Sequence, residues 1–218
     1  MQVIPAILTT TLDDVKEKLS RVDGVASLVQ IDVCDGTVGR GQTWLPEGNE
    51  ELPTGIHYEF DLMVADWRKY VEKTLTLGTQ RIVLHMDAFT DDECNDAIER
   101  LKQYNCKLII ATSNDTPIDT HINLINLCKS QYPNIGAQVM GIKSIGEQGQ
   151  EFDESCIARI KTIKASFGDI ELQVDGGINF ETAKKVIEAG ADSIISGSLI
   201  FGQEDAGGMI GQLQSIAS

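Results

Sequence analysis

Four short apolar runs close on acidic side chains, and those are the positions where chemistry is expected. One run ends Gln30-Ile31-Asp32-Val33-Cys34-Asp35-Gly36. Side chains of an extended segment alternate between faces, so Gln30, Asp32 and Cys34 share one face while Ile31 and Val33 share the other. The same alternation pairs Glu59 with Asp61, His85 with Asp87, and Gln173 with Asp175 in three further runs. An ionised carboxylate in a run that reads as buried is costly unless it is paired, hydrogen-bonded or bound to a metal. A lone strand-end aspartate more often caps a helix or ties a loop. Acidic groups closing four separate runs favour a functional cluster suited to proton transfer or metal binding. His85 alone reads as a satisfied core or rim histidine rather than a ligand, and His57 and His121 lie off these ends and carry no functional signal.

Two glycine-bearing turns in the last third supply a second kind of site. Asp175-Gly176-Gly177-Ile178-Asn179 precedes a helical stretch, and Ser196-Gly197-Ser198 follows shortly after. Glycine lets the main chain approach a ligand closely, and N–H groups at a helix start attract an anion. Each turn alone is ordinary. Their joint position after the last two strand candidates points to a phosphate.

The elements that must carry these ends follow from periodicity. VIPAIL, SLVQIDV, IHYEFDLMV, RIVLHM, KLIIAT, AQVMGI, IELQVDGG and SIISGS read as eight strands, and an amphipathic stretch follows nearly every one. The second is followed by a loop and a weak helical segment at most. Alternating strands and helices imply a parallel sheet, and eight units within 218 residues suit a small closed barrel. A doubly wound open sheet fits the same alternation. Closure is preferred because no Gly-x-Gly-x-x-Gly follows the first strand and polar residues recur at several strand ends. No linker or low-complexity break divides the chain, so an α/β fold with a single (β/α)8 TIM barrel domain over 1–218 is expected.

Composition narrows the function classes. The 18 Lys and Arg against 33 Asp and Glu leave a net charge of -15, which opposes broad attraction to nucleic acid or an anionic membrane. An anionic substrate would need a local site. Five cysteines without CxxC spacing indicate neither a disulfide framework nor a zinc knuckle. No basic leader with an apolar run and no long apolar stretch is present, so a cytoplasmic protein is expected.

With these residues in view, the chain resembles the ribulose-phosphate 3-epimerase family. The resemblance is carried by IPAIL at 4–8, QIDVCDG at 30–36, DLMV at 61–64, SNDTP at 113–117, VMGIKSIGEQGQEFD at 139–153 and VDGGINFETAKKVIEAGADSIISGSLIF at 174–201. It implies an isomerase that interconverts ribulose 5-phosphate and xylulose 5-phosphate, with Asp32 and Asp175 as the acid/base pair on either face of C3. It further implies that Gly176, Gly177, Gly197 and Ser198, with the Gly146 to Gly149 loop, hold the phosphate and that Met63 and Met140 line the pocket. It also implies association into a homo-oligomer.

The departures fall at the metal. The family's divalent ion, such as zinc or iron, is held by His, Asp, His and Asp; the two histidine positions here read Gln30 and Asp61. A site of Gln30, Asp32, Asp61 and Asp175 would be all oxygen, which favours magnesium or manganese over zinc or iron. Ala6 replaces a serine and Cys34 a methionine of the family pattern. Two alternatives to the epimerase remain. Asp61-Leu62-Met63-Val64-Ala65-Asp66 resembles the Asp-x-Lys-x-x-Asp motif of hexulose-phosphate synthases and keto-gulonate-phosphate decarboxylases, although Met63 cannot supply the lysine cation. The other is a sugar-phosphate-binding barrel without turnover.

Overall fold

The computed structural model describes residues 1–39, 41–146 and 149–216. Eight parallel strands close into a barrel in chain order: β1 (Gln2–Ile7), β2 (Leu28–Cys34), β3 (His57–Met63), β4 (Arg81–His85), β5 (Lys107–Thr112), β6 (Ile135–Met140), β7 (Glu171–Asp175) and β8 (Ser193–Ser196), with β8 pairing back to β1. The outer ring comprises α1 (Leu12–Val22), α2 (Trp67–Thr76), α3 (Asp91–Gln103), α4 (Ile118–Gln131), α5 (Ser155–Ser166) and α6 (Phe180–Ala189), then the short α7 (Ser198–Phe201) and α8 (Ala206–Ser215). The strand expectations hold to within two residues at most ends. The turn expected at Ser196-Gly197-Ser198 opens directly into α7.

Several helices begin at a side-chain cap. Thr90 and Glu93 form a reciprocal capping box at the start of α3, and Asn179 with Thr182 does the same for α6. Such caps each contribute about 1 kcal/mol. Gly190 ends α6 at φ 115°, a left-handed geometry that glycine adopts without strain. Between β2 and β3 the described residues contain no helix. That segment is pinned instead by Trp44 N–H donating to the Thr9 carbonyl at 2.7 Å and by the Glu50 carboxylate, which accepts from the N–H groups of Glu47, Gly48 and Asn49.

The main core lies between the strands and the helices, where residues such as Val29, Ile31, Phe60, Ile82 and Leu108 are buried. Inside the barrel the filling is different. Two small apolar clusters, Ile4 with Ala6, Leu28 and Ile195, and Val83 with Ile109 and Ala111, flank a set of fully buried polar side chains that includes Gln30, Glu59, Asp61, Gln138 and Gln173. No described helix is long and apolar enough to cross a membrane.

His121 illustrates how the outer layer handles a titratable group. It is fully buried; its Nε2 lies 3.0 Å from the Ile110 carbonyl and its Nδ1 3.1 Å from the Thr112 hydroxyl. Because Arg159 donates to that hydroxyl oxygen at 3.0 Å, the hydroxyl hydrogen is free for Nδ1, which is the pattern of a neutral imidazole. Burial, with Arg159 nearby, pushes the pKa down to about 4. A folded pKa below the unfolded one of about 6.5 means the contribution is complete above that value and is lost as pH falls towards 4. His121→Gln is therefore expected to flatten the pH dependence of urea stability between pH 6.5 and 4.5 by roughly 2 kcal/mol. Parallel slopes for the two proteins would show that His121 titrates normally.

Candidate functional site

Strand pairing decides which acids meet. Across β2 and β3 the register sets Asp32 beside Asp61, and across β6 and β7 it sets Met140 beside Asp175. The Asp35 carboxylate accepts from the Ala65 N–H at 3.0 Å, which ties the ends of β2 and β3 together, and the Thr43 hydroxyl donates to the Asp32 carbonyl at 2.9 Å, folding the following loop back on β2. One oxygen each from Asp32, Asp61 and Asp175 lies within 4.8 Å of the others. Three of the expected acids thus converge. Glu59 does not reach the mouth: it sits one layer deeper, where Arg81 Nε donates to it at 2.6 Å. Asp87 also stays out. It lies beyond β4 and accepts from the Ser113 N–H at 2.8 Å and from Thr116, holding a loop.

Gln30 stands between the two proposed proton carriers. Its Nε2 donates to Asp32 Oδ1 at 2.8 Å and to Asp175 Oδ2 at 3.0 Å, while its Oε1 is buried with no hydrogen-bond partner. His85 is not the satisfied histidine that sequence suggests. Its Nε2 lies 2.9 Å from Asp61 Oδ1, but its buried Nδ1 has no partner. Alternation along β4 could place it on the inner face; that Asp61 would lie opposite could be known only from the closed barrel.

The electrostatics follow from crowding acids where water is scarce. Burial, reinforced by the charge on Asp61, pushes Asp175 up to about 7. Burial and the charges on Asp175 and Asp61 raise Asp32 well above the usual carboxylate range. Burial alone would lower His85, yet Asp61 beside it makes the net shift upward. The donor set fits a hard divalent cation on two grounds. Three mutually repelling carboxylates offer oxygen ligands, and the amide beside them, whose Nε2 faces Asp32 and Asp175, leaves the Gln30 Oε1 buried without a partner.

A cleft of about 370 Å³ opens beside these acids, a size suited to a small metabolite. Asp32, Asp175, Met63 and Met140 line it together with Gly146, Gly149, Gly176, Gly177, Gly197 and Ser198. Glu147 and Gln148 of the expected phosphate loop lie outside the described residues. Gly176 and Gly177 have φ of 96° and 67°, and a Cβ on Gly177 would lie 2.9 Å from Phe152 Cα, so this turn admits glycine for both conformation and space. Sequence reasoning missed Ile142 and Phe152 as wall residues, since apolar residues after a strand carry no signal of their own. Ala6 lines the cleft as well. Cys34 does not: its thiol packs behind Met63, with sulfur to sulfur 3.7 Å, and burial pushes its pKa strongly upward.

Known proteins are similar to this chain along nearly its whole length. The family model described as the ribulose-phosphate 3 epimerase family matches residues 2–201. Ribulose-phosphate 3-epimerase of Bacillus subtilis (strain 168) is 26% identical over 217 residues, covering 94% of each chain. The Chlamydia trachomatis serovar D protein of the same name is 27% identical, covering 91% of this chain and 85% of its own. Among solved structures, KGPDC from Streptococcus mutans in complex with D-R5P superposes with a TM-score of 0.74 at 12% identity, over 99% of this chain and 96% of that one. A 3-hexulose-6-phosphate synthase gives 0.70 at 15% identity over the whole of both chains. At those identities the structural likenesses speak for the barrel alone.

Proposed function

The chain belongs to the ribulose-phosphate 3-epimerase family, and on that premise we propose that it inverts C3 of a ketopentose 5-phosphate, with Asp32 and Asp175 as its two proton carriers. The observation that carries the proposal is that both acids line the same cleft as the glycine turns. Phosphate is held there by main-chain N–H groups around Gly176, Gly177, Gly197 and Ser198, since the described lining contains no Lys or Arg. Met63 and Met140 give the carbon chain an apolar bed.

The reaction then needs little movement. One aspartate, ionised, takes the C3 proton from its face, and the electron pair passes into the C2–C3 bond to give a cis-enediolate. The other, protonated, delivers its proton to the opposite face of C3. The roles exchange in the reverse direction, which requires each carboxyl to be close to even ionisation near neutral pH. Burial and the charge on Asp61 push Asp175 up towards that range, to about 7 before any cation is bound. Asp32, Asp61 and Asp175 would hold a divalent ion, which would supply positive charge where the enediolate develops its negative charge. An all-oxygen set favours magnesium or manganese.

The lyase alternative has less support, because Met63 stands where its motif places lysine and no described lining residue is a lysine. A coupled assay on ribulose 5-phosphate tests the proposal. Turnover should fall at least tenfold on chelation and return with Mn²⁺ or Mg²⁺ better than with Zn²⁺. Sugar-phosphate binding with no turnover under any of these ions would leave a binding protein instead.

A further inference from the structure

Asp61 is held differently from the other two acids. His85 Nε2 contacts Oδ1 at 2.9 Å, and Gln138 Nε2 donates to Oδ2 at 3.1 Å. An ionised carboxylate offers about four lone-pair positions, so these contacts leave capacity for a cation. Gln138 is fully buried on β6, and its Nε2 also lies 3.5 Å from Met140 Sδ.

A glutamine amide can turn over about its last bond, and turned the other way Gln138 would set a carbonyl oxygen against the carboxylate. Asp61, which only accepts when ionised, favours the first direction, and the side chains below impose the same one. Gln138 Oε1 accepts from Gln173 Nε2 at 2.6 Å, and the same Gln173 nitrogen donates to Glu59 Oε1 at 2.9 Å. Gln173 Oε1 in turn accepts from the Arg81 guanidinium. A guanidinium only donates and an ionised carboxylate only accepts, so Arg81 and Glu59 together leave Gln173 one orientation. Gln173 then leaves Gln138 one orientation, with its NH2 towards Asp61. The order runs through the barrel interior from Arg81, the first residue of β4, to the acids at the mouth.

We propose that Gln138 is a positioning residue for Asp61, its amide direction set by Arg81 through Gln173, so that Asp61 keeps a free oxygen lone pair turned to Asp32 and Asp175. The inference rests on the reading of those three aspartates as a cation site. It adds a residue that contacts neither substrate nor ion.

The test is Mn²⁺ binding to the full chain, followed by electron paramagnetic resonance of free Mn²⁺, with the visible spectrum of bound Co²⁺ as a probe of ligand geometry. Gln138→Leu should weaken Mn²⁺ about tenfold or more and alter the Co²⁺ spectrum. In an Asp61→Ala background, which retains the other two acids, the same substitution should change Mn²⁺ affinity by less than about twofold, because a residue acting through Asp61 has nothing left to act on. Unchanged affinity and spectrum in Gln138→Leu would overturn the inference while leaving the cation site standing, as would an equal loss in both backgrounds. Failure of the unsubstituted protein to bind Mn²⁺ would remove both. Gln138→Met, close in length and shape, replaces the leucine variant if circular dichroism shows that the latter does not fold.

Discussion

Asp175→Asn should lower epimerase turnover by about a thousandfold while ribulose 5-phosphate still binds within about tenfold of the parent affinity. The substitution keeps shape and the ability to accept the 3.0 Å hydrogen bond from Gln30, so the turn into Gly176 and Gly177 is not disturbed. What it removes is the ionisable carboxyl: an amide in its place neither takes up nor releases the C3 proton. Positioned acid/base groups contribute roughly a hundredfold to ten-thousandfold, and here one group serves an entire face of the carbon. Turnover by coupled assay and affinity by calorimetry, both with Mn²⁺ in saturating excess, separate the two effects. Equal losses in turnover and affinity would make Asp175 a binding group and leave the proton unaccounted for.

The parts of this molecule that depend on local pattern were legible before any coordinates. Alternation in QIDVC, EFD and LQVD put Gln30, Asp32, Asp61, Gln173 and Asp175 on consistent faces, and the closed barrel turns all of those faces inwards. The Gly176-Gly177 turn was legible because φ near 96° and 67° excludes most other residues. What could not be read is depth. Glu59 and Asp61 are two residues apart on one face, yet the register sets Glu59 beside Arg81 and Asp61 beside Asp32, so one is neutralised below and the other joins the acids above. Sequence gives the face of a side chain, whereas its layer depends on the stagger of strands far apart in the chain. Gln138 escaped for the same reason: inside GAQVM it resembles an isolated polar residue, and its partners lie on β3 and β7.

The lower end of that interior column carries the largest expected effect on stability. Arg81→Met should cost about 3–5 kcal/mol, read as a lowered urea midpoint and a melting temperature lower by roughly 10 °C. Arg81 is itself buried and donates to Glu59 at 2.6 Å, to Glu171 at 2.5 Å and to Gln173; Lys107 also reaches Glu171. Glu171 would keep Lys107, but Glu59 is fully buried and would lose the cation whose attraction opposes the upward push of burial on its carboxyl. Replacing both members by apolar groups removes the stranded charge, so Arg81→Met with Glu59→Leu should recover most of the loss. A single-variant cost below about 1 kcal/mol would mean that Glu59 is neutral in the fold and the pair is not ionic. The double variant also separates stability from positioning. With neither the obligate donor nor the obligate acceptor present, the Gln173 amide loses its fixed partners, and the direction of Gln138 rests on Asp61 alone. Stability should therefore return while Mn²⁺ affinity stays low, because packing can replace a buried ion pair but cannot replace the direction it imposed on two amides.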